Sequence, residues 1–187
     1  PNGDRVVRTI SSREAWDSVA AGPGPARVVL EALTSMGRFG LTADELALLL
    51  ADDATLVALA QDRVRLQGLA LHLPLAQPSP DHRAVPGARW KDAAVAPAPP
   101  AGASARVIES LAWGLGWQNQ LAEVSQRLSA AGAEHAVTAL TDAAGLWVSH
   151  LDDVELASLR GALPDIALYA RIGTRLWLGD RSAVHAA

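Results

Sequence analysis

The chain of 187 residues contains no cysteine. That excludes disulfides, thiolate zinc sites, iron–sulfur clusters and a cysteine nucleophile. It fits a reducing compartment, so a cytoplasmic setting is expected. No uninterrupted apolar run approaches the roughly eighteen residues that a membrane-spanning helix needs. The opening Pro1-Asn2-Gly3-Asp4 does not read as a signal peptide. Phe and Tyr occur once each, and Lys91 is the only lysine beside fifteen arginines. An excess of positive charge is also missing. The formal net charge is −4, with ten basic and ten acidic residues up to Lys91 and six against ten beyond it. A protein that held DNA by overall charge would be basic, so any DNA contact must rest on a local patch.

Half of the residues are apolar, dominated by Ala, with six Trp. Such a composition favours closely packed helices. The expected fold class is α+β, in three parts. Residues 1–77 form a helical N-terminal domain and 78–104 a Pro/Ala-rich linker. Residues 105–187 form a C-terminal domain of helices with a small β-sheet. Pro78 to Pro86 and Pro97 to Gly102 each hold three prolines, a density that denies helix and central strand. Trp90 lies between these clusters, either pinning the arm to a surface or serving as a partner-binding anchor.

In the first part, Arg5 to Ile10 alternates as a short strand does. Ser11 with Glu14 reads as a capping box that opens a helix. Pro25 begins the next helix, with a stripe of Val28, Val29, Ala32, Leu33 and Met36 that ends at Gly37 and Gly40. Thr42 with Glu45 forms a second capping box, and Asp52 or Asp53 caps a third helix running to Gly68. Leu69 to Leu75 follows as a strand-like run. In the last part a helix begins near Ser104, with breaks at Gly114, Gly116 and Gly132. Leu146-Trp147-Val148 reads as a buried strand, and a helix is capped at Asp152 or Asp153. Ile166 to Ala170 and Arg175 to Leu178 make a hairpin.

Three short helices followed by a Gly-Leu turn and a strand resemble the winged-helix transcriptional regulators. The segments that carry the likeness are Leu41-Thr42-Ala43-Asp44-Glu45-Leu46, Asp53-Ala54-Thr55-Leu56-Val57 and Arg63-Val64-Arg65-Leu66-Gln67-Gly68-Leu69. The resemblance implies a third helix in the major groove, with Thr55, Gln61, Arg63 and Arg65 as the DNA-contacting residues. Leu121 to Ala144, Leu146-Trp147-Val148 and Tyr169 to Leu178 are in turn similar to the C-terminal domain of AbiE-type (type IV) antitoxin regulators. Together these imply a transcriptional regulator that binds double-stranded DNA, antitoxin-like and dimeric. The alternative is a non-enzymatic interaction or assembly protein without nucleic-acid affinity. Trp113 and Trp117, one helical turn apart, are either core residues or a dimer and partner patch.

No catalytic constellation is legible, so no enzyme, metal or cofactor is expected. Asp152-Asp153-Val154-Glu155 could hold Mg²⁺ for nucleotidyl transfer, but acidic residues in a first helical turn are ordinary capping chemistry. The histidines His72, His82, His135, His150 and His185 show no metal-ligand spacing.

Overall fold

A computed structural model describes residues 6–75 and 100–171. Five strands form one sheet in the order β1-β2-β3-β4-β5, and every neighbouring pair is parallel. The strands are β1 (Val7–Ile10), β2 (Ala26–Ala32), β3 (Val64–Leu71), β4 (Gly145–Ser149) and β5 (Leu168–Arg171). The helices between them are α1 (Arg13–Ala20), α2 (Ala43–Ala51), α3 (Asp53–Ala60), α4 (Ala105–Ala130), α5 (Glu134–Ala143) and α6 (Asp153–Ala162). This is an α/β architecture. It overturns the expected α+β arrangement of a winged-helix-like domain, a linker and a separate small sheet. Strands from both sides of the Pro-rich segment are hydrogen-bonded neighbours, since β3 pairs with β4 from Gly68↔Gly145 to Leu71↔Val148.

Parallel strands cannot be joined by tight turns, so each pair needs a crossover, here always helical. Crossovers of one hand that step steadily in one direction fall on one face of the sheet. Helices α2 to α6 accordingly touch one another and form a layer, with α4 at its centre. Leu30, Leu69, Leu146 and Leu168 lie side by side in register. The first three of them join Ala32, Leu71 and Val148 in the core beneath that layer. The neighbouring row, Glu31, Ala70, Trp147 and Tyr169, points to the opposite face. There the rings of Trp147 and Tyr169 stack with centroids 4.8 Å apart, and Trp147 Nε1 donates to the Gln67 carbonyl at 3.0 Å.

Two expected helical segments are strands. Val28-Val29-Leu30 is a continuous apolar run rich in β-branched residues, and a buried parallel strand has that pattern. The third helix ends at Ala60 rather than at Gly68. Asp62 takes a left-handed backbone at φ 55° and turns the chain into β3. Gly114 and Gly116 do not break α4, which runs unbroken for 26 residues. A Cβ at Gly114 would lie 2.4 Å from Leu163 Cδ1, so this glycine permits close packing of α4 on the segment after α6.

The capping signals fare better. Thr42 with Glu45 and Asp152 with Glu155 both form complete capping boxes, and Asp52 and Ser104 cap α3 and α4. Ser12, one residue beyond the expected cap, opens α1. Trp16, Trp113 and Trp117 are fully buried, so the Trp113 and Trp117 pair is core rather than a surface patch. Trp90 and the Arg175 to Leu178 half of the expected hairpin lie outside the described residues, and β5 pairs parallel with β4. Among the described residues no helix is long and apolar enough to cross a membrane.

Gly68 marks the tightest point in the sheet. Its φ is +141°, and an added Cβ would lie 2.0 Å from the Gly145 carbonyl oxygen and 2.9 Å from Trp147 Cδ1. Backbone on one side and strain on the other leave no inexpensive relaxation. Gly68→Ala is expected to cost about 2 kcal/mol or more of unfolding free energy in urea. Gly24→Ala, at an exposed position with nothing within 4 Å, is expected to stay within about 0.5 kcal/mol of the parent.

Candidate ligand site at the carboxyl ends of the strands

Because all five strands run in one direction, their carboxyl ends share one edge. In parallel α/β sheets that edge is where ligands bind, since the loops leaving the strands can vary without disturbing the core. The residues there are polar and charged. Glu31 lies near the end of β2, and the loop 33–41 follows it. His72 follows β3 directly, Ser149 ends β4 with His150 next to it, and Arg171 is the last residue of β5.

The loop 33–41 is closed at its neck. Leu33 N donates to Leu41 O at 2.8 Å and Leu41 N to Glu31 O at 2.7 Å. Gly40, at φ +130°, packs so tightly on the Ala32 backbone that a Cβ would lie 2.4 Å from the Ala32 carbonyl carbon. Thr34 is buried and its hydroxyl donates to the His72 carbonyl, which ties the loop to the end of β3. Gly37, Arg38 and Phe39 form the exposed tip.

The two imidazoles meet edge to face, with centroids 5.1 Å apart. His150 Nδ1 lies 2.5 Å from the Leu73 carbonyl, and that carbonyl can only accept, so Nδ1 carries the proton. His150 also holds a left-handed backbone at φ 64°, and Ser149 Oγ donates to the Leu71 carbonyl at 3.1 Å. Uncommon backbone at a non-glycine residue, held by surrounding bonds, is the kind of outlier found at binding sites.

Burial holds the His72 imidazole below its usual range, and the nearby positive charges of His150, Arg171 and Arg38 push it the same way. Burial pushes the Glu31 carboxyl up, with Arg171 opposing the shift. The Glu31 to Arg171 approach is 3.9 Å, a loose pair. Arg171 Nη1 is buried without a hydrogen-bond partner among the described residues. Arg38 has no carboxylate partner among them either.

The residues expected to touch DNA are elsewhere. Thr55 is buried inside α3. Gln61 caps the C-terminus of α3 and is exposed. Arg63 donates to the Ala20 carbonyl at 3.2 Å. Arg65 sits on β3 and makes a forked pair with Asp62 at 2.7 and 2.6 Å, which holds the Asp62 carboxyl below its usual range. They do not share the exposed face of one helix. A cleft of about 440 Å³ lies at the amino-terminal edge, lined among others by Arg27, Asp62, Arg65, Gln67 and His135. Its arginines are engaged within the protein, Arg27 with Gln67 and Arg65 with Asp62. Around α6, Glu155 completes the cap with Asp152 and pairs with Arg106 at 2.9 Å, so these carboxylates serve the cap and the α4–α6 contact.

Sequence spacing singles out neither His72 and His150 nor Arg38, Arg171 and Glu31. The available signal was position. Each falls within a residue or two of the end of an apolar strand run, or in the Gly-flanked loop after one. No known family, curated protein or solved structure matches the chain.

The lowered His72 value has a measurable consequence. The native state resists protonation of His72 more than the unfolded chain does. Its contribution to stability is therefore present above the ordinary imidazole value of 6.5 and is lost as the pH falls below it. Urea midpoints measured between pH 7.5 and pH 5 are expected to drop less steeply in His72→Asn than in the parent.

Proposed function

We propose that this protein binds a small anionic molecule, through a carboxylate or phosphate group, at the carboxyl-terminal edge of its parallel sheet. The observation that carries this reading is the meeting of the His72 and His150 rings 5.1 Å apart, beside a buried Arg171 Nη1 that has no hydrogen-bond partner among the described residues and an Arg38 near enough to act on His72. The guanidinium groups of Arg38 and Arg171 repel each other, and both act on His72. Guanidinium groups suit carboxylate and phosphate oxygens in geometry as well as charge. A ligand oxygen on Arg171 Nη1 would satisfy a buried donor.

Held neutral, His72 can also accept a hydrogen bond or a proton from the bound molecule near neutral pH. Its neighbour His150 is fixed in orientation by the Leu73 carbonyl. With Nδ1 committed to that carbonyl, His150 has Nε2 left for a ligand, an acceptor in the neutral ring and a donor in the protonated one. A metabolite-sized ligand and a chain without cysteine support a cytoplasmic setting for this role.

Inorganic phosphate is the simplest probe. Its titration should perturb the imidazole resonances of His72 and His150 and raise the His72 pKa, because a bound anion favours the protonated ring. Arg38→Ala and Arg171→Ala are each expected to weaken phosphate binding by about tenfold, the effect of one charge-assisted contact. Arg65→Ala, at the opposite edge, should leave it unchanged. Saturating phosphate that leaves both imidazoles unmoved would remove the anion site.

A further inference from the structure

Glu109 lies in the first turns of α4, far from Ser35 in sequence, and only 2 % of its surface is exposed. A buried carboxylate needs strong partners. Both of its oxygens go to one residue: Ser35 N donates to Oε1 and Ser35 Oγ to Oε2, each at 2.6 Å. Short, charge-assisted and paired, these bonds fix both position and direction of the donor residue. Ser35 stands two residues past the closed neck of loop 33–41 and three before Arg38. Beyond it, Gly37 at φ +64° turns the chain, with Arg38 and Phe39 exposed.

Among the described residues the loop thus has three attachments. The neck bonds close it, the Thr34 hydroxyl holds it to the end of β3, and Glu109 reaches out of the helix layer to grip it at Ser35. Only the last of these comes from a helix rather than from the sheet or the loop itself. Without it, Thr34 would still anchor the base, but the Ser35 backbone could rotate and carry Arg38 away from His72.

We infer that Glu109 is a positioning residue: it sets the course of loop 33–41 and so holds Arg38 where it meets the anion at the carboxyl-terminal edge. The part concerning the anion rests on the ligand site proposed above, whereas the hold on the loop does not. A glutamine at 109 can reproduce both bonds, its oxygen accepting from Ser35 N–H and its amide donating to Ser35 Oγ. Alanine can reproduce neither.

The test combines amide hydrogen exchange with phosphate titration on the full chain. In Glu109→Ala the Ser35 amide is expected to exchange at least about tenfold faster, with the core strands unchanged. Phosphate affinity should fall about tenfold, and adding Arg38→Ala to this variant should cost little more, because Arg38 is already displaced. Glu109→Gln should restore most of both properties, which a simple loss of core packing would not predict. Should Glu109→Ala fail to fold, Ser35→Ala removes one bond from the loop side and should lower phosphate affinity about threefold. Loop protection and phosphate affinity that stay at parental values in both a folded Glu109→Ala and Ser35→Ala would overturn the inference. A parent protein that ignores phosphate would refute the anion site and with it the role toward Arg38. Exchange at Ser35 would then still decide whether Glu109 holds the loop.

Discussion

The parallel pairing of β3 with β4 is the constraint on which the other features depend. Gly68 to Leu71 run beside Gly145 to Val148, joining segments far apart in the chain. For the pairing to form, the chain between them must cross over the sheet. It does so through α4 and α5, and α4 becomes the centre of the helix layer. Gly68 and Gly145 make the closest approach, and the Trp147 ring closes over it. Once this pair is set, β2 and β5 add on either side, and the Leu30, Leu69, Leu146 and Leu168 row becomes continuous. The order runs through the sheet without reversal, so the described strands provide no switch-point crevice of the doubly wound kind. It is the connectivity of barrel-type βα repeats, and the carboxyl ends lie side by side along one rim.

That rim explains how groups unremarkable in isolation come together in the proposed site. The polar residues after each strand need not pack in the core, so they are free to be charged. The sheet spaces neighbouring strand ends about 4.8 Å apart, which brings the imidazoles after β3 and β4 within contact distance of each other. Here the local electrostatics conflict with stability in isolation. Burial disfavours charge on His72 while Arg38, Arg171 and His150 disfavour it further. Folds carry such local conflicts mainly where a function uses them.

Much of the local structure is legible in the sequence, whereas its assembly is not. Capping chemistry is local, so Thr42 with Glu45, Asp52, Ser104 and Asp152 with Glu155 can be read from a few residues of sequence. The strand at Leu146-Trp147-Val148 is equally readable. Val28-Val29-Leu30 is not, because a strand buried on both faces lacks the alternation that separates strand from helix. Taking it and Val64–Leu66 as helical produces three helices in succession and with them the likeness to a winged helix. Gly114 and Gly116 mislead for a related reason: helix propensity marks them as breaks, but close packing against Leu163 outweighs it.

The site was illegible for a different reason. His72 and His150 are 78 residues apart, and nothing in spacing links them; only the β3–β4 register does. The same register determines which charges oppose one another. Glu31 on β2 and Arg171 on β5 have two strands between them; burial raises the Glu31 carboxyl, and Arg171, 3.9 Å away, tempers that rise. A tight pair here would take up Arg171 Nη1. The loose one leaves a buried donor without a hydrogen-bond partner among the described residues, at the edge where loop 33–41 carries Arg38. The sheet places the backbone of Arg171 and a helix carboxylate holds the loop that carries Arg38, so independent parts of the fold place the two residues. Two separately anchored cations can grip a rigid anion without rearrangement, and that preorganisation lowers the entropic cost of binding.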